Sequence, residues 1–279
     1  MIASNTTPIT TGYVNSEGDD LYYEVRGTGA PLLMISGGGG DAGFYSLVAE
    51  ILADEFKVIT YDRRGNSRSS RHDPQNFEIS QQSRDAVAVL HAAGESSAFV
   101  FGNSGGAIIA LDMAKTQPQV IRSAVIHEAP IISLLPDYKR WQRFMASIYW
   151  MSWLLGPQVA MLCFSLSLGI PWHTMRSVPK EFSERNGRNQ DFFVQHEMLP
   201  FACYCPNFAV IQRNNVRMSI AVGQHTLDKA LFYGRPAPIL AQKLACALVT
   251  FPGNHLSYFD LPEQWSASLR TLLQQEQSV

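Results

Sequence analysis

The stretch that most limits how this chain can fold is residues 99–110. Phe99-Val100-Phe101 is a short apolar run, Gly102-Asn103-Ser104-Gly105-Gly106 follows as a Gly-x-Ser-x-Gly pentapeptide, and Ala107-Ile108-Ile109-Ala110 continues with helical spacing. A strand that turns sharply into a helix crowds its own backbone, and Gly102 and Gly106 stand where a side chain would collide. Such a turn pushes the Ser104 hydroxyl out at the C-terminal end of the strand. A helix begins beside it, and its free N–H groups can receive an anion. The pentapeptide therefore reads either as a nucleophile elbow or as a glycine-serine turn between ordinary elements, and the rest of the chain has to decide.

The flanking sequence alternates between two periods. Residues 21–25 and 11–15 read as paired strands. Pro31-Leu32-Leu33-Met34-Ile35 is a continuous apolar run that ends in Ser36-Gly37-Gly38-Gly39-Gly40. Helical spacing over 44–55 leads to a strand at 56–61, a helix over 80–93, the elbow, and a strand at 121–126. The alternation resumes at 216–223 and closes with a helix near 238–244, a strand at 247–251 and a helix near 263–273. Strands alternating with helices predict a parallel sheet covered on both faces. The break between them predicts a helical cap, residues 131–216, inserted into a core of 1–130 and 217–279.

Within the break, residues 144–172 contain no Asp, Glu, Lys, Arg or His. Twenty such residues could span a bilayer, but Gly156-Pro157 divides the run and it lies inside an apparent soluble fold. It reads as two cap helices over a pocket, and contact with a membrane is not expected. Trp141, Met145, Tyr149 and Trp150 are the expected acyl-site lining, with Gly39 beside them. A net charge of −2 supplies no basic field for nucleic acid. Cys163, Cys203, Cys205 and Cys246 lack metal-finger or disulfide-framework spacing, and the N-terminus is polar, so the expectation is a cytoplasmic chain with reduced thiols. Asn5-Thr6-Thr7 fits a glycosylation sequon that has no secretory signal to give it meaning.

A serine hydroxyl needs a base within hydrogen-bond reach and a third group to hold that base. His255 follows a strand and a Pro-Gly-Asn loop, which carries it to the same sheet edge as Ser104. The other histidines lie in loops, in helices or in the break, except His127 and His225, which end strands. An oxyanion needs donors already in place; these are the amides of Gly105 and, from the glycine loop, Gly38.

Taken together, Ser36-Gly37-Gly38-Gly39, Asp62-Arg63-Arg64-Gly65-Asn66-Ser67, Gly102-Asn103-Ser104-Gly105-Gly106 and Pro252-Gly253-Asn254-His255 resemble, in order, the motifs of the α/β-hydrolase family. The resemblance covers residues 21–273 apart from the break. It implies an α/β-hydrolase fold, a mostly parallel eight-stranded sheet with a helical cap after the sixth strand, and a Ser-acid-His triad. It departs from the family at the acid. The usual position, three residues past the glycine that ends the seventh strand, is Thr226 here. Two carboxylates remain open: Asp228, two residues further, and Glu128, at the end of the sixth strand, where some branches place their acid.

The resemblance implies a serine-dependent acyl hydrolase or transferase acting on a small-molecule ester, lactone or thioester with an apolar acyl group. It calls for no metal or organic cofactor. Thiohydrolases that release polyketide chains share the fold, and that branch of the resemblance implies an acyl-carrier protein as partner. A further class in the fold comprises ligand receptors and non-hydrolytic lyases.

Overall fold

A computed structural model describes residues 7–73 and 76–277. Asn5 and Thr6 of the sequon lie outside them. The chain forms one eight-stranded sheet, with strands β1 (Ile9–Ser16), β2 (Asp19–Arg26), β3 (Ala30–Ile35), β4 (Phe56–Tyr61), β5 (Ala98–Asn103), β6 (Ile121–His127), β7 (Met218–Gly223) and β8 (Ala247–Phe251). Their order across the sheet is β1-β2-β4-β3-β5-β6-β7-β8. β1 pairs with β2 and β2 with β4 antiparallel; all other neighbours are parallel.

The strand sequences explain this order. The residues of β3, β5 and β7 are apolar or small with hardly a break, and almost every one is buried. Strands covered on both faces have no polar side to present. β1 instead exposes five of its eight residues at the sheet's edge. Helices α1 (Ser46–Leu52), α2 (Ile79–Ala92) and α3 (Gly105–Thr116) connect the first strands. After β7 come α11 (Gln224–Asp228), α12 (Pro236–Leu244) and α13 (Pro262–Gln277). One face of the sheet buries its core against α2, α3 and α12, and the other buries Phe101 and Phe251 against α1 and α13, the latter contributing Trp265.

Between β6 and β7 the chain is helical. α4 (Tyr138–Leu154) and α5 (Pro157–Ser167) form a packed hairpin, broken at Gly156, whose φ of +97° suits a residue without a Cβ. The shorter α6 (Trp172–Arg176), α7 (Lys180–Asn186), α8 (Asn189–Phe192), α9 (Met198–Cys203) and α10 (Phe208–Asn214) follow, with a π-helical turn over Phe193–Glu197. This segment has an apolar core of its own, built on Ile132, Met145, Ile148, Val194 and Met198. Among the described residues no helix is long and apolar enough to cross a membrane.

Candidate active site

Ser104 stands between β5 and α3 with φ +58° and ψ −122°. A non-glycine residue pays for such a conformation, and it persists where the surroundings over-determine it. The surroundings here are two backbone contacts. A Cβ on Gly102 would come within 2.3 Å of the Gly106 carbonyl oxygen, and one on Gly106 within 2.0 Å of the Ile35 carbonyl oxygen. The Ser104 N–H also donates to the His127 carbonyl at 2.9 Å, which locks the turn to β6.

Glu128, the next residue after β6, also has a positive φ, +50°. Its N–H donates to the Ala221 carbonyl at 2.9 Å, and its Oε1 accepts from the Gly223 N–H at 2.8 Å. Its Oε2 lies 2.5 Å from His255 Nδ1. The Glu128 side chain is fully buried and that of His255 nearly so. Burial alone would raise the Glu128 carboxyl. Positive charge on the adjacent His127, and the hydrogen bond and charge of His255, outweigh it and hold the group at about 2, below its ordinary 4.5. His127 is itself pushed down to about 4 by burial, so its charge counts only in acid.

The two candidate acids thus separate. Asp228 is exposed on α11 and accepts from Gln224 Nε2 at 2.7 Å, away from His255. Thr226, where most of the family would carry the acid, is buried beside Glu128. The carboxylate that meets His255 comes from the residue after β6, and the usual position after β7 holds a threonine.

Ser104, Gly105 and His255 line one cavity with Pro130, Ile132, Met145, Phe164, Leu168, Phe193, Met198, Phe201, Ala202, Phe232 and Tyr233. The centre of a water-sized sphere can occupy about 40 Å³ of it, and the gaps between atoms around that space, counted out to open solvent, come to about 460 Å³. No Asp, Glu, Lys or Arg side chain lines it. The Tyr233 hydroxyl is already committed, donating to the Leu168 carbonyl at 2.8 Å.

Four of the expected lining residues are elsewhere. Met145 does face the cavity. Trp141 stands one layer behind, stacked on Phe232 at 4.3 Å between ring centroids. Tyr149 packs edge-on against Trp150 and Trp153, and Trp150 is 61% exposed. Met145, Ile148 and Ser152 define the buried stripe of α4, and Trp150 lies off it. Gly39 turns toward Asn186, and its carbonyl accepts from Asn189 Nδ2 at 2.6 Å. What the sequence reading missed is the aromatic floor, Phe193, Phe201 and Phe232, which comes from short helices and turns with no clear period.

The glycine loop meets the serine through Gly37: a Cβ there would fall 2.8 Å from Ser104 Cβ. A Cβ on Gly38 would meet the Phe193 ring at 2.4 Å. The loop is held from below. Arg63 Nε donates to the Ser36 carbonyl at 3.0 Å and its Nη2 to the Gly37 carbonyl at 2.7 Å. Asp62 and Arg63 tie the loops through separate partners, Asp62 to Arg68 and the Ala42 N–H, Arg63 to Glu197. Among the described residues no three His, Cys, Asp or Glu side chains stand together to hold a metal. Cys203 and Cys205 are exposed free thiols; Cys163 and Cys246 are half-buried ones.

Across nearly its whole length the chain is similar to an uncharacterized hydrolase, YraK, of Bacillus subtilis: 30% identity over 273 residues, 96% of this chain and 97% of the relative. The chain belongs to the α/β-hydrolase fold family. The family model for the alpha/beta hydrolase fold matches residues 30–153. A putative carbamate hydrolase, RutD, of Azorhizobium caulinodans is 41% identical over 114 residues, covering 41% of this chain and 43% of that one. A thermophilic esterase from Thermogutta terrifontis superposes with a TM-score of 0.75 at 19% identity, over 96% of this chain and 99% of the other. The chain is thus a hydrolase of the α/β-hydrolase fold.

Proposed function

We propose that this α/β hydrolase is a serine-dependent acyl hydrolase for esters, lactones or thioesters with an apolar acyl group. The observation that carries the reading is the 2.5 Å contact between His255 Nδ1 and Glu128 Oε2, with His255 and Ser104 on the wall of one cavity. A carboxylate on Nδ1 keeps a proton there and leaves Nε2 as the basic nitrogen. His255 Nε2 takes the Ser104 hydroxyl proton as Oγ attacks the carbonyl carbon. The amides of Gly38 and Gly105 receive the oxyanion. Collapse expels the alcohol or thiol, which leaves with the proton from His255. A water then gives its proton to Nε2 and attacks the acyl carbon, and the acid departs as Ser104 recovers its proton. Glu128 stays ionised throughout.

The cavity supports an apolar acyl group, because its lining offers hydrocarbon and aromatic surface and no charged partner for a polar one. A fluorophosphonate probe tests the serine. The folded protein should be labelled once, Ser104→Ala should not be labelled, and an unlabelled wild type sinks the reading. A panel of p-nitrophenyl esters, lactones, free acyl thioesters and an acyl-carrier-bound thioester then sorts the acceptor. Activity on the esters should rise with acyl length until the cavity is filled.

A further inference from the structure

The α4–α5 hairpin is apolar on both sides. Its inner side gives Met145, Phe164 and Leu168 to the cavity. Its outer side carries Trp150, Trp153 and Leu154 on α4 and Val159, Leu162 and Leu166 on α5. Leu154 is 78% exposed, Leu166 74% and Leu162 62%. On α5 the spacing 159, 162, 166 is a helical stripe as regular as a core stripe, but it faces outward. Scattered surface leucines need no explanation, whereas a grouped stripe of this kind marks a surface that meets something apolar.

Charge says what that something is. The uncharged run 144–172 is bracketed by cations: exposed Lys139, Arg140 and Arg143 on the first turns of α4, and exposed Arg176 beyond α5, with Lys180 further on paired to Glu184 at 3.7 Å. Residues 131–216 hold eight Lys and Arg against five Asp and Glu, while the rest of the chain holds fourteen against nineteen. Asp191, reached by Gln158 Nε2 at 3.4 Å, is an acidic group near the start of α5. A twofold pairing of this face with a second copy would bring the cations of both together. An anionic lipid headgroup layer meets the same cations favourably, and tryptophan suits the boundary between headgroups and acyl chains. With no membrane-crossing helix among the described residues, contact would be peripheral.

We infer that the outer face of the α4–α5 hairpin docks this enzyme on an anionic lipid–water interface. The cavity then sits directly behind the docked helices, and an apolar acyl substrate can reach it without crossing bulk water. That consequence rests on the acyl-hydrolase reading; the docking itself does not.

Co-sedimentation of the full chain with vesicles tests it. The protein should pellet with vesicles of phosphatidylglycerol and phosphatidylcholine, and roughly tenfold more weakly with phosphatidylcholine alone. Leu154→Ser combined with Leu162→Ser and Leu166→Ser should weaken binding to the anionic vesicles by about tenfold or more, with hydrolysis of a soluble short-chain ester unchanged. Arg140→Glu with Arg143→Glu leaves the apolar stripe intact and should abolish the preference for the anionic vesicles. The inference is overturned if the wild type stays in the supernatant with both vesicles, or if either combined variant pellets as the wild type does. It is equally overturned if the wild type is a dimer that the leucine variant converts to monomer and that anionic vesicles do not compete apart. Loss of fluorophosphonate labelling with vesicle binding intact would count against the acyl-hydrolase reading alone.

Discussion

Arg63 and Glu197 form a 2.7 Å ion pair in which neither side chain touches solvent. The pair joins the β6–β7 segment to the loop under Ser104, because Arg63 also holds the Ser36 and Gly37 carbonyls and Glu197 also accepts from Asn66 Nδ2 at 2.9 Å. Glu197 ends the π-helical turn that begins at Phe193, the ring against Gly38.

Removing one partner of a buried pair leaves the other charge stranded. Glu197→Ala should therefore cost about 3–5 kcal/mol in urea unfolding. Glu197→Gln, which still offers an acceptor of the same shape, should cost clearly less. Equal losses would mean that the charge of Glu197 contributes little and that its volume is what counts.

Glu128 and Asp228 make opposite predictions for the triad. Glu128→Gln keeps the shape but removes the charge that fixes the His255 tautomer, so kcat should fall by about 10²–10⁴-fold with little change in KM. Asp228→Asn, on an exposed helix away from His255, should leave kcat near the wild-type value. Single-turnover acylation with a chromogenic ester reads both. If Asp228→Asn loses as much as Glu128→Gln, the assignment of the acid is wrong.

Acid should unfold the protein in two stages. His127 has a folded-state value of about 4 against an ordinary 6.5. Its buried neutral form is fully favourable above 6.5, and stability is lost as pH falls from there toward 4 because the unfolded chain binds the proton first. The shift corresponds to about 3 kcal/mol. Glu128 is depressed to about 2 from 4.5, so its contribution is present above 4.5 and is lost between there and 2. His127→Gln, which can still donate to Asn103 Oδ1 (the present bond is 2.8 Å), should remove the first stage. Tm measured from pH 7 to 4 should then fall less in the variant than in the wild type.

The parts of this molecule that were legible in sequence are those set by backbone constraint. Apolar runs ending in glycine gave β3 with its loop and β5 with its elbow, and the strand at 247–251 matches β8 residue for residue. The break at Gly156-Pro157 separated α4 from α5 as expected. The proposed acid was open in sequence because Glu128 and Asp228 both follow strands; the structure sets the two apart by orientation. Glu128 lies at the end of a central strand, turned by its positive φ, and Asp228 lies on the outside of a helix. The cavity lining was the poorest part. Aromatic residues on α4 look alike in sequence, and whether Trp150 faces in or out depends on where α5, α9 and the π-helical turn pack against the helix.

The elbow makes the sharpest stability prediction. Gly102 and Gly106 face backbone oxygens at 2.3 and 2.0 Å from where a Cβ would stand, and backbone held in β3 and α3 cannot move aside as a flexible side chain could. Gly106→Ala should therefore cost roughly 3 kcal/mol or more, the upper range for overpacking a tight site, and should reduce fluorophosphonate labelling of Ser104. Gly187 provides the contrast. It has αR dihedrals, and a Cβ there would meet only the Ser183 and Glu184 carbonyls at 3.5 and 3.7 Å. Gly187→Ala should be neutral or stabilise by about 0.4–1 kcal/mol through the unfolded chain. Thermal unfolding of the two variants side by side checks both. A Gly106→Ala protein as stable as Gly187→Ala would mean that the turn can relax, and that Ser104 does not need the strained geometry described for it.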